Sequence, residues 1–303
     1  MSLLSPQVTA FIAVVEEMSF EGAARRLSVT PSAISQRIKS LEDRVGQLLI
    51  VRQTPCVPTP AGEMLLNKVK PMALLEAEAI SEFLPDDVKG DKPASIAIAV
   101  NEDSLSTWLM PALSALYQTN GYLFDIRIDD QDYTLDALRR GAVLGALTSE
   151  EKAIQGCSAH FLGHMRYYAV ASPKVAAQYF TGMNVVDAFK RAPMLVYNRK
   201  DPLQHRFIKN VTGEETVPDQ IHYLPDSVQL VHAAMENMGW CMMAEGLFEE
   251  AVQANKLVNI SPEYWMEDAL YWQHAAIKSK VLSNVTQAFK QSAMAGLHWA
   301  SAN

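Results

Sequence analysis

Cysteine is scarce in this chain: three in 303 residues, at positions 56, 157 and 241. An odd number so widely spaced excludes a disulfide framework and fits a reducing compartment. No apolar run approaches the roughly 20 residues that span a bilayer, so no membrane partner is expected. The opening MSLLSPQVTAFIAVVEE has no basic residue, and Glu16 and Glu17 break its apolar stretch. A signal peptide is therefore not expected, and a cytoplasmic location is. Missing too are the G-x-S-x-G elbow, the phosphate-binding G-x-x-x-x-G-K-[ST] loop and the G-x-G-x-x-G turn. His160 and His164 stand four apart and would share a helix face, but no thiol or carboxylate motif accompanies them. Neither a metal, nor a cofactor, nor a catalytic group is expected, and an enzyme has no constellation to rest on.

Positive charge is short overall, with a formal net charge of −8, which argues against a polyanionic partner. The deficit is uneven. Between Arg25 and Arg52 six cations (Arg25, Arg26, Arg37, Lys39, Arg44 and Arg52) face only Glu42 and Asp43. A basic head on an acidic body is the asymmetry of a nucleic-acid reader with a separate sensing part.

The same stretch, FEGAARRLSVTPSAISQRIKSLEDRVGQLLIVR, reads as helix, tight turn, helix and strand. Thr30 is a good N-cap and Pro31 suits the first helical position, where a missing N–H costs nothing. Ile34, Ile38, Leu41 and Val45 recur at helical spacing and predict a buried stripe. Ser32, Ser35, Gln36 and Lys39 fall on another face, offering the hydroxyls, amide and cation that reach base edges and phosphates. Arg37 is expected on phosphate or a guanine edge, and Arg52, on a ribbon spanning Leu48–Pro60, on the DNA backbone or minor groove. With a first helix carrying Val8, Phe11, Ile12 and Val15, residues 1–60 predict a winged helix-turn-helix for double-stranded DNA.

Residues 61–92 predict a long helix to Phe83 and a hinge, LPDDVKGDKP. Leu66, Val69, Ala73, Ile80 and Phe83 take a/d-type positions, interrupted by Glu76, and are expected to form a dimer seam. From 93 to 303 apolar strands alternate with helices, among them SIAIAV, LFDIRI, VLGALT, YYAVAS, PMLVYN and WCMMA. This predicts an α/β body of mainly parallel sheet in two lobes: lobe I about 93–165 and 276–303, lobe II about 166–275. Trp108, Trp240 and Trp272 would line a cleft or, more ordinarily, the core.

AARRLSVTPSAISQRIKSLEDRVGQLLIVR, with PTPAGE at the wing-to-linker junction, closely resembles the signature of the LysR-type transcriptional regulators. That resemblance implies a two-lobed effector domain like the periplasmic binding proteins, a homodimer or homotetramer, and a small-molecule effector. RNA polymerase is a compatible partner. VNEDSLSTWLMPAL, LRRGAVLGALT and ALYWQ are similar to the branch of that family that answers to lysine and arginine and controls basic amino-acid export. Met243-Ala244-Glu245 departs from it, since relatives tend to carry proline there, which bears on the cleft wall.

Ligands of open parallel sheets lie outside the carboxyl ends of strands. Those exits are Asn101, Asp103 and Ser104; Asp129, Asp130 and Asp132; Thr148 and Ser149; Asn198; and Asp226 with Ser227. An effector carboxylate would suit a helix N-terminus near Ser104 to Thr107, and its ammonium groups the aspartates. Helix caps and solvated turns are the competing reading of the same residues; the branch resemblance favours Asp103 and Asp130. The function expected is regulation of basic amino-acid export or metabolism genes. The alternatives are an effector-independent architectural or replication-interfering DNA binder, and an enzyme or transport-type binding protein.

Gln36→Ala should weaken operator binding by about 1–3 kcal/mol, whereas Arg52→Ala should chiefly flatten the salt dependence. Gel-shift titrations over a salt series check both; unchanged affinity and slope in both variants would overturn the docking scheme.

Overall fold

A computed structural model describes residues 3–83, 95–128, 134–216 and 218–299. The head is α1 (Pro6–Glu17), α2 (Phe20–Arg26) and α3 (Pro31–Val45), then a two-stranded wing, β1 (Ile50–Val51) and β2 (Val57–Pro58), and α4 (Pro60–Phe83). Side-chain oxygens of Ser5, Ser19 and Thr30 cap α1, α2 and α3. The small pair Ala23 and Ala24 lets α2 approach its neighbours, and Phe11, Ile34, Ile38, Leu49 and Leu66 are fully buried around it.

Two expectations about the head fail. Val45 is 44% exposed, because α3 ends there and the chain turns away at Gly46, in left-handed conformation. Glu42 is buried instead: its Oε1 accepts the N–H groups of Leu49 at 2.9 Å and Ile50 at 3.3 Å. A carboxylate thus satisfies backbone donors where the chain enters the wing. The second failure concerns the dimer seam. Leu66 and Val69 lie in the head's own core, at 1% and 5% exposure, so they are not available to another chain. Ala73 and Ile80 are half-buried. Phe83, also expected in the seam, is exposed, and the free face of α4 otherwise carries a different stripe, Met64, Lys68, Met72 and Leu75. Glu76, expected as an interruption, accepts the N–H groups of Leu3 and Leu4.

The third face of α4 meets lobe I. Asn67 Nδ2 donates to the Arg139 carbonyl (2.7 Å) and Lys70 Nζ to that of Ala142 (2.9 Å). Gly141, at φ +67°, permits this contact: a Cβ there would lie 2.4 Å from the Asn67 nitrogen. Further along, Glu78 accepts from Ser279 Oγ (2.5 Å) and from the N–H groups of Val281 (2.8 Å) and Lys280 (3.3 Å). The expected hinge lies outside the described residues.

The body runs β3 (Ser95–Val100), α5 (Glu102–Ser104), a π-turn at Leu105–Leu109, α6 (Met110–Asn120), β4 (Leu123–Ile128), α7 (Thr134–Arg139), β5 (Gly145–Thr148) and β6 (Cys157–Ala171). Then come α8 (Pro173–Val175), a second π-turn, α9 (Val185–Arg191), β7 (Met194–Val196), α10 (Leu203–Thr212), β8 (Ile221–Tyr223) and α11 (Ser227–Met235). The chain closes with β9 (Trp240–Ala244), α12 (Glu249–Gln253), β10 (Val258–Asn259), β11 (Trp265–Ala275) and α13 (Lys280–Gly296).

The strands hydrogen-bond in the order β4-β3-β5-β11-β6-β9-β7-β8, with β10 beside β6. The two flanks are parallel, as the alternation of strands and helices predicts. The centre is antiparallel, because β6 and β11 run through both lobes. Their length is the reason: Tyr167–Ala171 of β6 pairs with β9 in lobe II, while Tyr271–His274 of β11 pairs with β5 in lobe I. The return to lobe I thus falls near Leu270/Tyr271, where the register shifts, and not after 275. Among the described residues no helix is long and apolar enough to cross a membrane.

Glu42→Ala should lower stability to urea by about 1–3 kcal/mol, the cost of stranding buried donors. Arg52→Ala, removing an exposed side chain 3.9 Å from Glu42, should change it by less than about 1 kcal/mol.

Candidate functional site

Two surfaces carry the expected chemistry. On the head, Thr30 Oγ1 accepts the Ala33 N–H at 3.2 Å and lies 2.9 Å from Ser32 Oγ. Ser32, Gln36 and Lys39 are exposed along α3, and Ser35 and Arg37 are half-buried. Arg52 stands over the Phe20 ring, 5.4 Å from its centroid, so the wing cation is steered while staying in solvent. Arg26 points the other way, into an ion pair with Glu16 at 2.7 Å.

The second surface is a cavity of about 230 Å³ between the lobes. Its lobe I wall is the exit of β3. Asn101 precedes the helix there, with its side chain making no cap bond. The helix therefore starts at Glu102, and Ser104 to Thr107 lie inside it; Thr107 Oγ1 donates back to the Asp103 carbonyl at 2.6 Å. The Leu105 N–H bonds the Asn101 carbonyl at 3.3 Å, so the uncapped N-terminus falls at Glu102 to Ser104, slightly ahead of the expected Ser104 to Thr107.

Asp103 and Glu102 reach lobe II. Ser227 Oγ donates to Asp103 Oδ1 at 2.6 Å, and the Ser227 N–H, at the start of α11, donates to Glu102 Oε2 at 3.1 Å. Helix N-termini favour negative charge, so these carboxylates are well placed. Burial nevertheless raises the Asp103 carboxyl above its ordinary value, with Glu102 and Asp201 adding to the effect and hydrogen bonds from Ser227 and Tyr167 opposing it. Four carboxylates line the cavity (Glu102, Asp103, Asp201 and Asp268) against two cations, Lys200 and Arg206. Arg206 Nη1 lies 3.4 Å from Asp268 Oδ1. The surplus charge is negative.

Two buried amides complete the site. Asn101 is 5% exposed, yet neither its oxygen nor its nitrogen has a hydrogen-bond partner among the described residues. Gln204 donates to the Leu195 carbonyl at 3.2 Å, while its oxygen has no partner among the described residues. Stranded buried polar atoms are costly, and a polar ligand or water in the cavity would satisfy them. Leu230, Met242 and Met243 supply an apolar side.

Of the expected effector residues, Asn101 and Asp103 line this cavity. Ser104 is buried beside it, its hydroxyl without a partner among the described residues. Thr148, Asn198 and Asp226 serve the backbone: Thr148 Oγ1 accepts from Glu150 N, Asn198 Oδ1 shapes the loop through Lys200 N and Asp201 N, and Asp226 caps α11 through Gln229 N. Asp129, Asp130 and Asp132 lie outside the described residues. Trp108, Trp240 and Trp272 are core, at 4% exposure or less. Met243, in the segment that departs from relatives, lines the cavity, and Glu245 pairs with His298 at 2.5 Å.

Sequence reasoning missed Tyr167 and Asp268, because they sit on the crossing strands and not at a parallel-strand exit. It also missed Asp201, Gln204 and Arg206, although the polar run after PMLVYN marked that exit. His160 and His164 share no helix face; they lie on β6, where the register shifts between them. His164 packs on Phe161, whereas His160 stacks on His274.

Residues 6–63 match the bacterial regulatory helix-turn-helix protein, lysR family, and residues 89–294 the LysR substrate binding domain. The HTH-type transcriptional regulator ArgP of Photobacterium profundum is 37% identical over 290 residues, covering 96% of this chain and 97% of that protein. The crystal structure of ArgP from Mycobacterium tuberculosis superposes with a TM-score of 0.85 at 36% identity, covering 98% of this chain and 100% of the other. Full-length LysG from Corynebacterium glutamicum with bound effector Arg gives 0.75 at 30%, covering 97% and 100%.

A carboxyl whose pKa folding raises holds its proton more tightly folded than unfolded, so it subtracts stability as pH climbs from the ordinary carboxylate value through the raised one. Without ligand, Asp103→Asn should remove that decline. Melting temperatures of both proteins from pH 4 to 8 would show it; parallel curves would mean that Asp103 is ionised at no cost.

Proposed function

The chain belongs to the LysR family of bacterial helix-turn-helix regulators, and we propose that it is a transcriptional regulator whose DNA binding answers to lysine or arginine. It acts in the cytoplasm on genes for basic amino-acid export or metabolism. The observation that carries this reading is the cleft's pairing of surplus carboxylate with the unpartnered amide of Asn101.

A basic amino acid matches that pairing atom for atom. Its carboxylate accepts from Asn101 Nδ2 and Arg206, its α-ammonium donates to Asn101 Oδ1, and its aliphatic stem lies along the methionines. The distal cation meets Asp103, whose ionised form it stabilises against burial. An effector-independent DNA binder would have no reason to strand Asn101. Ordering Ser227 against Asp103 across the cleft links occupancy to lobe closure, and closure to the head through α4.

A second copy of the chain covers the free stripe of α4. Met64, Lys68, Met72 and Leu75 keep three-to-four-residue spacing along one face, the pattern of a two-helix seam, and Phe83 follows two turns on. Two heads then read two half-sites.

Calorimetry should detect lysine or arginine but not norleucine, which keeps the shape and loses the distal charge; Asp103→Asn should weaken binding tenfold or more. Footprints with and without the amino acid should differ. Equal binding of norleucine would overturn the basic-amino-acid assignment.

For assembly, Met72→Asp with Leu75→Asp should give smaller species in light scattering with the head still folded. Val69→Asp should unfold the head, since a charge would enter its core. A full-sized oligomer for the double variant would overturn the relocated seam.

A further inference from the structure

A second cavity, about 430 Å³, opens on lobe I between α13 and the ends of β6 and β11 nearest it. Leu282, Thr286 and Lys290 come from the helix, and His160 and His274 from the strands. Its character is opposite to that of the cleft. The lining has one ammonium, two imidazoles and no carboxylate, in a chain of net charge −8.

The polar groups form a chain with one consistent direction. Lys290 Nζ is 3.3 Å from His160 Nδ1, His160 Nε2 is 3.3 Å from His274 Nε2, and His274 Nδ1 is 2.9 Å from the Ala275 carbonyl. An ammonium can only donate and a carbonyl can only accept. The protons therefore sit on Lys290, on His160 Nε2 and on His274 Nδ1, and both rings are neutral. Burial and the Lys290 charge lower both imidazole pKa values, in keeping with neutral rings. Lys290 makes no ion pair among the described residues, so its charge stands unanswered at the cavity wall. Ile277, Leu282 and Met294 give the lining an apolar side, beside the hydroxyls and amides of Ser283, Gln287 and Gln291.

We propose that this cavity binds a small carboxylate with an apolar tail, its anionic end on Lys290 and its tail along Ile277, Leu282 and Met294. The site is independent of the cleft and has the opposite charge preference. It adjoins the joint with the head: Ser279 lines the cavity while its hydroxyl donates to Glu78 on α4. A ligand here reports to the linker helix without passing through the cleft.

Butyrate, hexanoate and phenylacetate, with acetate, hexanamide and hexylamine as controls, test this on the full chain by thermal shift and imidazole NMR. At least one tailed carboxylate should raise the melting temperature and move the His160 and His274 resonances; the tail-less, neutral and cationic controls should not. Lys290→Met should weaken that binding roughly tenfold or more, Lys290→Arg should retain it, and Asp103→Asn should leave it unchanged. The proposal is overturned if no tailed carboxylate moves either imidazole, if hexylamine binds equally, or if Lys290→Met binds as the unsubstituted protein does.

Discussion

The ammonium of Lys70 is the point on which the two halves of the molecule meet. It is 7% exposed, 3.2 Å from Glu16 of the head and 2.9 Å from the Ala142 carbonyl of lobe I. Burial lowers its pKa and Glu16 raises it, so the charge is held only while head and body both supply oxygen. A buried cation with two partners from different domains sets a geometry more sharply than apolar packing, which tolerates sliding. Around this point α4 divides its circumference three ways: Leu66 and Val69 to the head, Asn67, Lys70 and Glu78 to lobe I, and the Met72 stripe outward.

The cleft follows the same logic of incomplete halves. Lobe I brings Asn101, Glu102 and Asp103; lobe II brings Ser227, Gln204 and Arg206; the crossing strands bring Tyr167 and Asp268 beneath them. Neither lobe alone satisfies these groups. Part of the chain's negative charge is thus gathered in the cleft, while the head keeps its local positive surface.

How much of this was legible depended on whether the signal was local. The head was readable because capping, turn and helical period all occur within α3 and its neighbours. Val45 misled because periodicity alone does not register where a helix stops, and Glu42 was passed over because a buried carboxylate is recognisable only once the wing's N–H groups are placed. Leu66 and Val69 have the right spacing for a seam; a helix with two apolar faces cannot say which one its own domain takes. In the cleft, Asn101 and Asp103 followed from strand exits, a rule of parallel sheets. Tyr167 and Asp268 escaped it, since they belong to antiparallel strands whose partners lie about a hundred residues away. Thr148, Asn198 and Asp226 turned out to hold backbone, the ordinary work of such residues at turns.

The paired strands β6 and β11 carry one more implication. A two-stranded antiparallel ribbon twists readily and resists stretching, because its hydrogen bonds run crosswise while its backbones run lengthwise. Here that ribbon is the continuous path between the lobes, with its register shift opposite Leu270/Tyr271 and Gly163 at φ +134° beside it. Motion of one lobe against the other is thereby funnelled into torsion about a single axis, with Tyr167 and Asp268 riding near the pivot and the cleft walls sweeping the widest arc. A turn about that axis carries lobe II against lobe I together with α4, which lobe I holds through Asn67, Lys70 and Glu78.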